Sequence, residues 1–253
     1  MTFDTPIILY IILSFTFVII SLLFLRLIKD QYVKDLVLKI IGILTFVLHI
    51  SYLWVEYLMY GRASVNVNTL FPLYFCNVNM YIMLILPFMK NREGKTFKFL
   101  AEYLFYGGTI GCIIATLFSS IYHANPNIAD WYVLKSLLSH TSLLIGSLYI
   151  GIGGFIKIRV KNTISFINGI MLCIGVGFIT NILFEVCGLA SPNAMYLDAP
   201  PVDGIPWLTS YLAAALMIIT VFIFTVLYEQ IKLPKEERWY NLIKNRGGKH
   251  NAK

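Results

Sequence analysis

Charge is scarce in this chain: 20 basic and 13 acidic side chains in 253 residues, 13% charged against 58% hydrophobic. That balance excludes an ordinary soluble domain, in which about a quarter of residues are charged. Cysteine is sparse too. Cys76, Cys112, Cys173 and Cys187 form no Cys-x-x-Cys pair, which argues against a metal site or a disulfide scaffold. The N-terminal MTFDTP lacks a basic n-region, and the apolar run behind it is too long for an h-region, so it reads as a retained first helix. The last apolar window holds no lysine for a retinal Schiff base and no NPxxY motif. The segments between apolar runs are short and leave no room for a soluble catalytic module.

Long apolar runs are what the chain does have. Windows near 7–27, 37–59, 70–89, 100–121, 132–156, 164–189 and 206–231 each approach the roughly 20 residues needed to cross about 30 Å of hydrocarbon. The expected fold is all-α: a polytopic membrane protein with seven transmembrane helices over residues 1–231, and a basic tail over 232–253. Eighteen of the 20 Lys and Arg residues fall in 26–39, 90–98, 157–161 and the tail, whereas the alternate segments hold only Arg62 and Lys135 lies inside the fifth window. The positive-inside rule then predicts an outside N-terminus and a cytoplasmic C-terminus, as seven spans require. The net charge of +7 needs no nucleic acid: it sits in the cytoplasmic loops and in the tail, where Trp239, Tyr240, Leu242 and Ile243 are expected to lie on anionic lipid headgroups of the cell membrane.

Direction of travel converts position into depth. At ~1.5 Å per residue, Cys76, Asn77 and Asn79 sit roughly 9–14 Å below the outer boundary. His140 reaches that level from the fifth window, Glu56 from the second, and Asn181 with Glu185 from the sixth. Ionisable groups in a membrane are costly unless they face water or a partner, so this layer is expected to line an outward-facing cavity. Gly169, Cys173, Gly177, Asn181 and Glu185 recur every four residues and suggest one stripe, small below and polar above. Gly107, Gly111 and Ala115 suggest another close-packing face, and Ser136 shares a face with His140.

These groups suit acyl transfer at an ester carbonyl. Cys76 would be the nucleophile and His140 its base. Glu185 or Glu56 would orient the imidazole, while Asn77, Asn79 or Asn181 would donate to the oxyanion. Asn193 and Tyr196, in the last outer loop, would contact a headgroup. Blander readings stand beside these. A membrane cysteine often only packs, a membrane histidine often only bridges helices, Cys76 and Cys187 are shallow enough for a disulfide, and Glu185 could simply satisfy Asn181. His49 reads as a buried polar contact and Glu102 as structural. Met80 and Met83 read as packing or as an acyl-chain groove. No metal or organic cofactor is called for. A solute- or lipid-binding or transport protein without catalysis is the alternative.

Four segments carry a family resemblance: FPLYFC at Phe71–Cys76, AEYLFYGGTIG from Ala101, SLLSH ending at His140, and NAMYLDAPPVDGIPW from Asn193. In this order, over residues ~35–230, they resemble the YwaF-type bacterial membrane proteins, a family that includes the vertebrate transmembrane protein 164. The chain departs from that pattern with Phe71 for leucine, Tyr74 for histidine and Ala194 for tyrosine. The resemblance implies a seven-helix fold and, from the vertebrate branch, cysteine-dependent acyl transfer between phospholipids, with Cys76 as nucleophile and His140 as base.

Overall fold

The computed structural model describes residues 5–61, 71, 73–118, 127–200 and 205–242, without the side chains of Glu56 and Tyr60. Arg62, His123, Ile243 and the rest of the basic tail lie outside the described residues, as does the Glu56 side chain.

Apolar runs without water must satisfy their own backbone, and helices do so. Among the described residues, eight helices of nine or more residues result: α1 (Thr5–Leu25), α2 (Gln31–Ile50), α3 (Tyr52–Tyr60), α4 (Phe75–Ile85), α5 (Lys95–Phe118), α6 (Trp131–Ile152), α7 (Thr163–Val186) and α8 (Ser210–Lys232). Several starts carry the expected caps. Asp30 accepts from Val33 N at 2.9 Å, Asp130 from Tyr132 N at 2.8 Å and Thr209 from Leu212 N at 3.3 Å.

Among the described residues, five helices, α1 and α5 to α8, are long and apolar enough to cross a membrane, and the α2–α3 pair, bent by 41°, makes a sixth candidate. At the bend, Ser51 Oγ donates to Leu48 O at 2.7 Å and accepts from Trp131 Nε1 at 3.0 Å, so a side chain inserts where the helix breaks. The expected third span differs most. Its window begins at residue 70, yet Tyr74 is extended (φ −115°, ψ 152°), and the helix runs from Phe75 to a 3₁₀ turn ending at Phe88. Those 14 residues reach only about 21 Å at the helical rise.

Helix α6 is the hub, packed on α1, α2, α4 and α5, while α5 carries α7 and α7 carries α8. The main core joins Met80, Met83 and Leu86 to Leu104, Leu143 and Tyr149. At one end of the bundle Arg92 pairs with Asp35 at 3.4 Å and lies over the Phe155 ring, and Arg159 pairs with Glu237 at 2.6 Å. The four basic segments therefore share that end. Glu229 buckles it: one carboxylate oxygen accepts from Val160 N at 2.7 Å, the other from Trp239 N at 2.9 Å.

Candidate active site

At the opposite end of the bundle the short start of α4 moves Cys76 from mid-helix to the first helical turn. The first backbone bond there runs from Val78 N to Tyr74 O at 3.0 Å, so the N–H groups of Phe75 and Cys76 precede the ladder, and the Tyr74 side chain does not cap them. A helix N-terminus stabilises negative charge, so a thiol placed there is favoured to ionise relative to one in mid-helix. Two glycines of α5 admit α4 this closely. A Cβ on Gly107 would come within 3.1 Å of the Phe75 ring, and one on Gly111 within 3.0 Å of that ring and 3.7 Å of Cys76 Sγ. The thiol is partly buried and lies 3.9 Å from the Gly111 carbonyl.

His140 sits on α6, which packs against α4. Its Nδ1 lies 2.7 Å from the Ser136 carbonyl. A carbonyl only accepts, so Nδ1 carries the proton, and the neutral ring presents its lone pair at Nε2. The orienting group is thus the main chain one helical turn back, not Glu185. No hydrogen bond joins Cys76 to His140 among the described residues; each is tethered to a carbonyl, Cys76 on α5 and His140 within α6.

The loop between α7 and α8 folds across the N-terminal turn of α4. Met195 N donates to Leu73 O at 2.7 Å, the Tyr74 hydroxyl donates to Pro192 O at 3.4 Å, and the rings of Tyr74 and Tyr196 stack at 4.6 Å. Asn181 braces the strap from α7, accepting from Ala194 N at 2.8 Å and donating to Ala194 O at 3.5 Å. Asn193 holds the turn by accepting from Asp198 N and Ala199 N, both at 3.0 Å. Ser210 Oγ donates to Met195 O at 2.8 Å. Asn193, Met195 and Tyr196 take φ of 50°, 54° and 55°, a left-handed backbone that costs non-glycine residues about 1–3 kcal/mol each and persists only where the surroundings enforce it. Burial, with the Cys76 thiol and the Tyr74 phenol nearby, pushes the Tyr196 phenol above its ordinary range.

Several expected roles meet different surroundings. Glu185 is exposed on the far side of α7, because each four-residue step turns about 40°, so four steps from Gly169 carry it about 160° around the helix. Asn181 is buried but engaged with the strap. Asn79 is fully buried, with Nδ2 donating to Phe75 O at 2.9 Å and Oδ1 without a partner among the described residues, so the amide is turned to accept rather than to donate to an oxyanion. Asn77 is buried at the same turn. Met80 is 1% exposed in the main core beside Met83, which makes it packing. All four cysteines are free, so Cys76 and Cys187 are not bridged. Glu102 accepts from Ser165 Oγ at 2.6 Å and is structural. Three features escaped the sequence reading: the Ser136 carbonyl, the Tyr74–Tyr196 stack, and the aromatic seat of Lys135, which is 4% exposed with its ammonium 4.8 Å from both the Tyr52 and Tyr132 rings. A lysine inside an apolar window was the available signal for the last of these.

Among comparisons with known proteins, the model of the TMEM164 family matches residues 2–228, nearly the whole chain. No curated protein and no solved structure matches it.

Proposed function

The chain belongs to the TMEM164 family, and from that premise we propose that it is a phospholipid acyltransferase or lipase-like enzyme working through a Cys76 thioester. Its topology in this reading is seven spans in a bacterial plasma membrane, with the N-terminus outside, the Cys76 layer outward, and the basic tail on anionic headgroups inside. The observation that carries the proposal is the seat of Cys76 in the first turn of α4, beside two N–H groups that the helix does not use.

The steps follow from these groups. Cys76 Sγ attacks the ester carbonyl carbon of a phospholipid and its proton passes to Nε2 of His140. The carbonyl oxygen becomes an oxyanion facing the N–H groups of Phe75 and Cys76, donors of the kind that contribute 10²–10³-fold in other acyl-transfer sites. Collapse breaks the ester C–O bond, His140 returns the proton to the leaving alkoxide, and a lysophospholipid departs. In the second half His140 takes a proton from the hydroxyl of an acceptor lysolipid or from water, whose oxygen attacks the thioester. The acyl group leaves as a new ester or a fatty acid, and Cys76 regains its proton. Tyr196 and Asn193 belong to the strap that such a lipid must pass.

Intact mass of the purified protein with added phospholipid tests this reading. One acyl chain of added mass, removed by neutral hydroxylamine and absent in Cys76→Ala, is the expected result. No adduct, together with no release of lysolipid or fatty acid, overturns it. Ligand-dependent thermal stabilisation surviving in Cys76→Ala would then favour the binding or transport alternative.

A further inference from the structure

Helices α1 and α2 are consecutive, joined by residues 26–30, and both join the main core through Val18 and Leu38, yet each packs more extensively on α6 than on the other. α1 leans on α6 through a hydrogen bond of 3.1 Å between the Tyr10 and Thr141 hydroxyls, with Ile7 against Val133 and Leu137. α2 docks through Thr45 and Ser142, whose hydroxyls share a bond of 2.7 Å. Between them stays a cleft of about 660 Å³, walled by Leu13, Phe17 and Phe24 of α1 and by Ile40 and Leu44 of α2, with Ile145 of α6 on its floor.

The chemistry of the walls selects the occupant. Of the hydroxyls that line the cleft, those of Tyr10, Ser14, Thr141 and Ser142 are turned to protein partners, so Ser21 on α1 is the one lining hydroxyl outside that set among the described residues, too few for water, which needs two to four polar partners to reside in a cavity. An apolar void of this size forfeits the dispersion contacts of its whole lining. The material at hand beside an apolar membrane helix is hydrocarbon. Lining residues run from Tyr10 to Leu25 along α1, about 22 Å at the helical rise, so the cleft is long and narrow, the form of a chain. Its floor residues Leu138, Thr141, Ser142 and Ile145 lie, at about 100° per residue, on the side of α6 away from Ser136 and His140. We infer that the α1–α2 cleft is a binding site for one acyl chain of a bilayer phospholipid, separate from the Cys76 layer and independent of its chemistry.

The test uses the full chain in detergent, depleted of lipid and then given phosphatidylcholine, with retained lipid counted by native mass spectrometry. Wild type is expected to keep one phospholipid after detergent exchange. Ser21→Phe with Leu44→Trp, which fills the cleft, is expected to keep about tenfold less and to lose the lipid-induced rise in Tm. Leu172→Trp with Val176→Phe, on an exposed face of α7, is expected to behave as wild type. Equal retention by the filled variant, or no retained lipid in wild type, overturns the inference. Should the filled variant misfold, wild type labelled with phosphatidylcholine bearing a photoactivatable acyl chain decides: adducts concentrated on the cleft walls support the site, and adducts spread evenly over α1, α7 and α8 overturn it. A chemically dead Cys76→Ala retains the lipid under this inference, which separates its outcome from that of the thioester mechanism.

Discussion

Helices α1 and α6 are both membrane-spanning candidates, but they are built on opposite plans. α1 is the more apolar, and only 17% of its best window is buried within the protein; α6 carries Lys135, Ser136, Ser139, His140, Thr141, Ser142 and Ser147, and 78% of its window is buried. In water the ranking would be reversed. Here lipid solvates the apolar surface, so association rests on close packing and on polar groups that find partners. Hydropathy along this chain therefore reports distance from the hub, and the most polar spans mark where the site is.

The comparison is broken most directly with glycine. A Cβ on Gly169 would overlap the Tyr103 ring, whereas one on Gly175, also on α7, meets nothing within 4 Å. Gly169→Leu is expected to cost about 3 kcal/mol or more, the overpacking of a filled seam. Gly175→Leu, directed at lipid, is expected to leave stability unchanged or slightly raised. Denaturant unfolding in detergent measures both, and equal losses would show that the seam yields.

A smaller effect separates the two polar groups of the α7 end. Asn181→Ala leaves the buried Ala194 N–H without its acceptor, at about 1–3 kcal/mol. It is also expected to free the strap, so that Cys76 reacts faster with a maleimide. Exposed Glu185→Gln should alter neither quantity. Unchanged Cys76 labelling in Asn181→Ala would mean that the strap does not cover the thiol.

Much of the architecture was legible. The windows near 7–27, 100–121, 132–156, 164–189 and 206–231 became α1, α5, α6, α7 and α8, since a run of apolar side chains long enough to cross leaves the backbone little alternative. The glycine steps on α5 and α7 did mark close approach, at Phe75 and Tyr103. What hydropathy does not register is where a helix begins inside an apolar run. The late start at Phe75, which gives Cys76 its first-turn seat, was therefore hidden. Side-chain patterns also omit the main chain, so the Ser136 carbonyl was missed as the partner of His140. Left-handed backbone at Asn193, Met195 and Tyr196 has no glycine to announce it; it is imposed by Leu73, Asn181 and Ser210, which are remote in sequence.

The stack of Tyr74 on Tyr196 sets the smallest of these effects and tests whether the strap and α4 act as one unit. Removing one ring forfeits the pair interaction, about 0.5–1.5 kcal/mol beyond the area lost. Tyr74→Leu and Tyr196→Leu should each destabilise, and the double variant should lose less than the sum by that margin, because the second substitution finds no partner left to remove. Strict additivity would mean that the two rings lie together without being coupled. The strap would then be held by Met195 N on Leu73 O, by Asn181 and by the Tyr74 hydroxyl on Pro192 O rather than by the contact of the two rings.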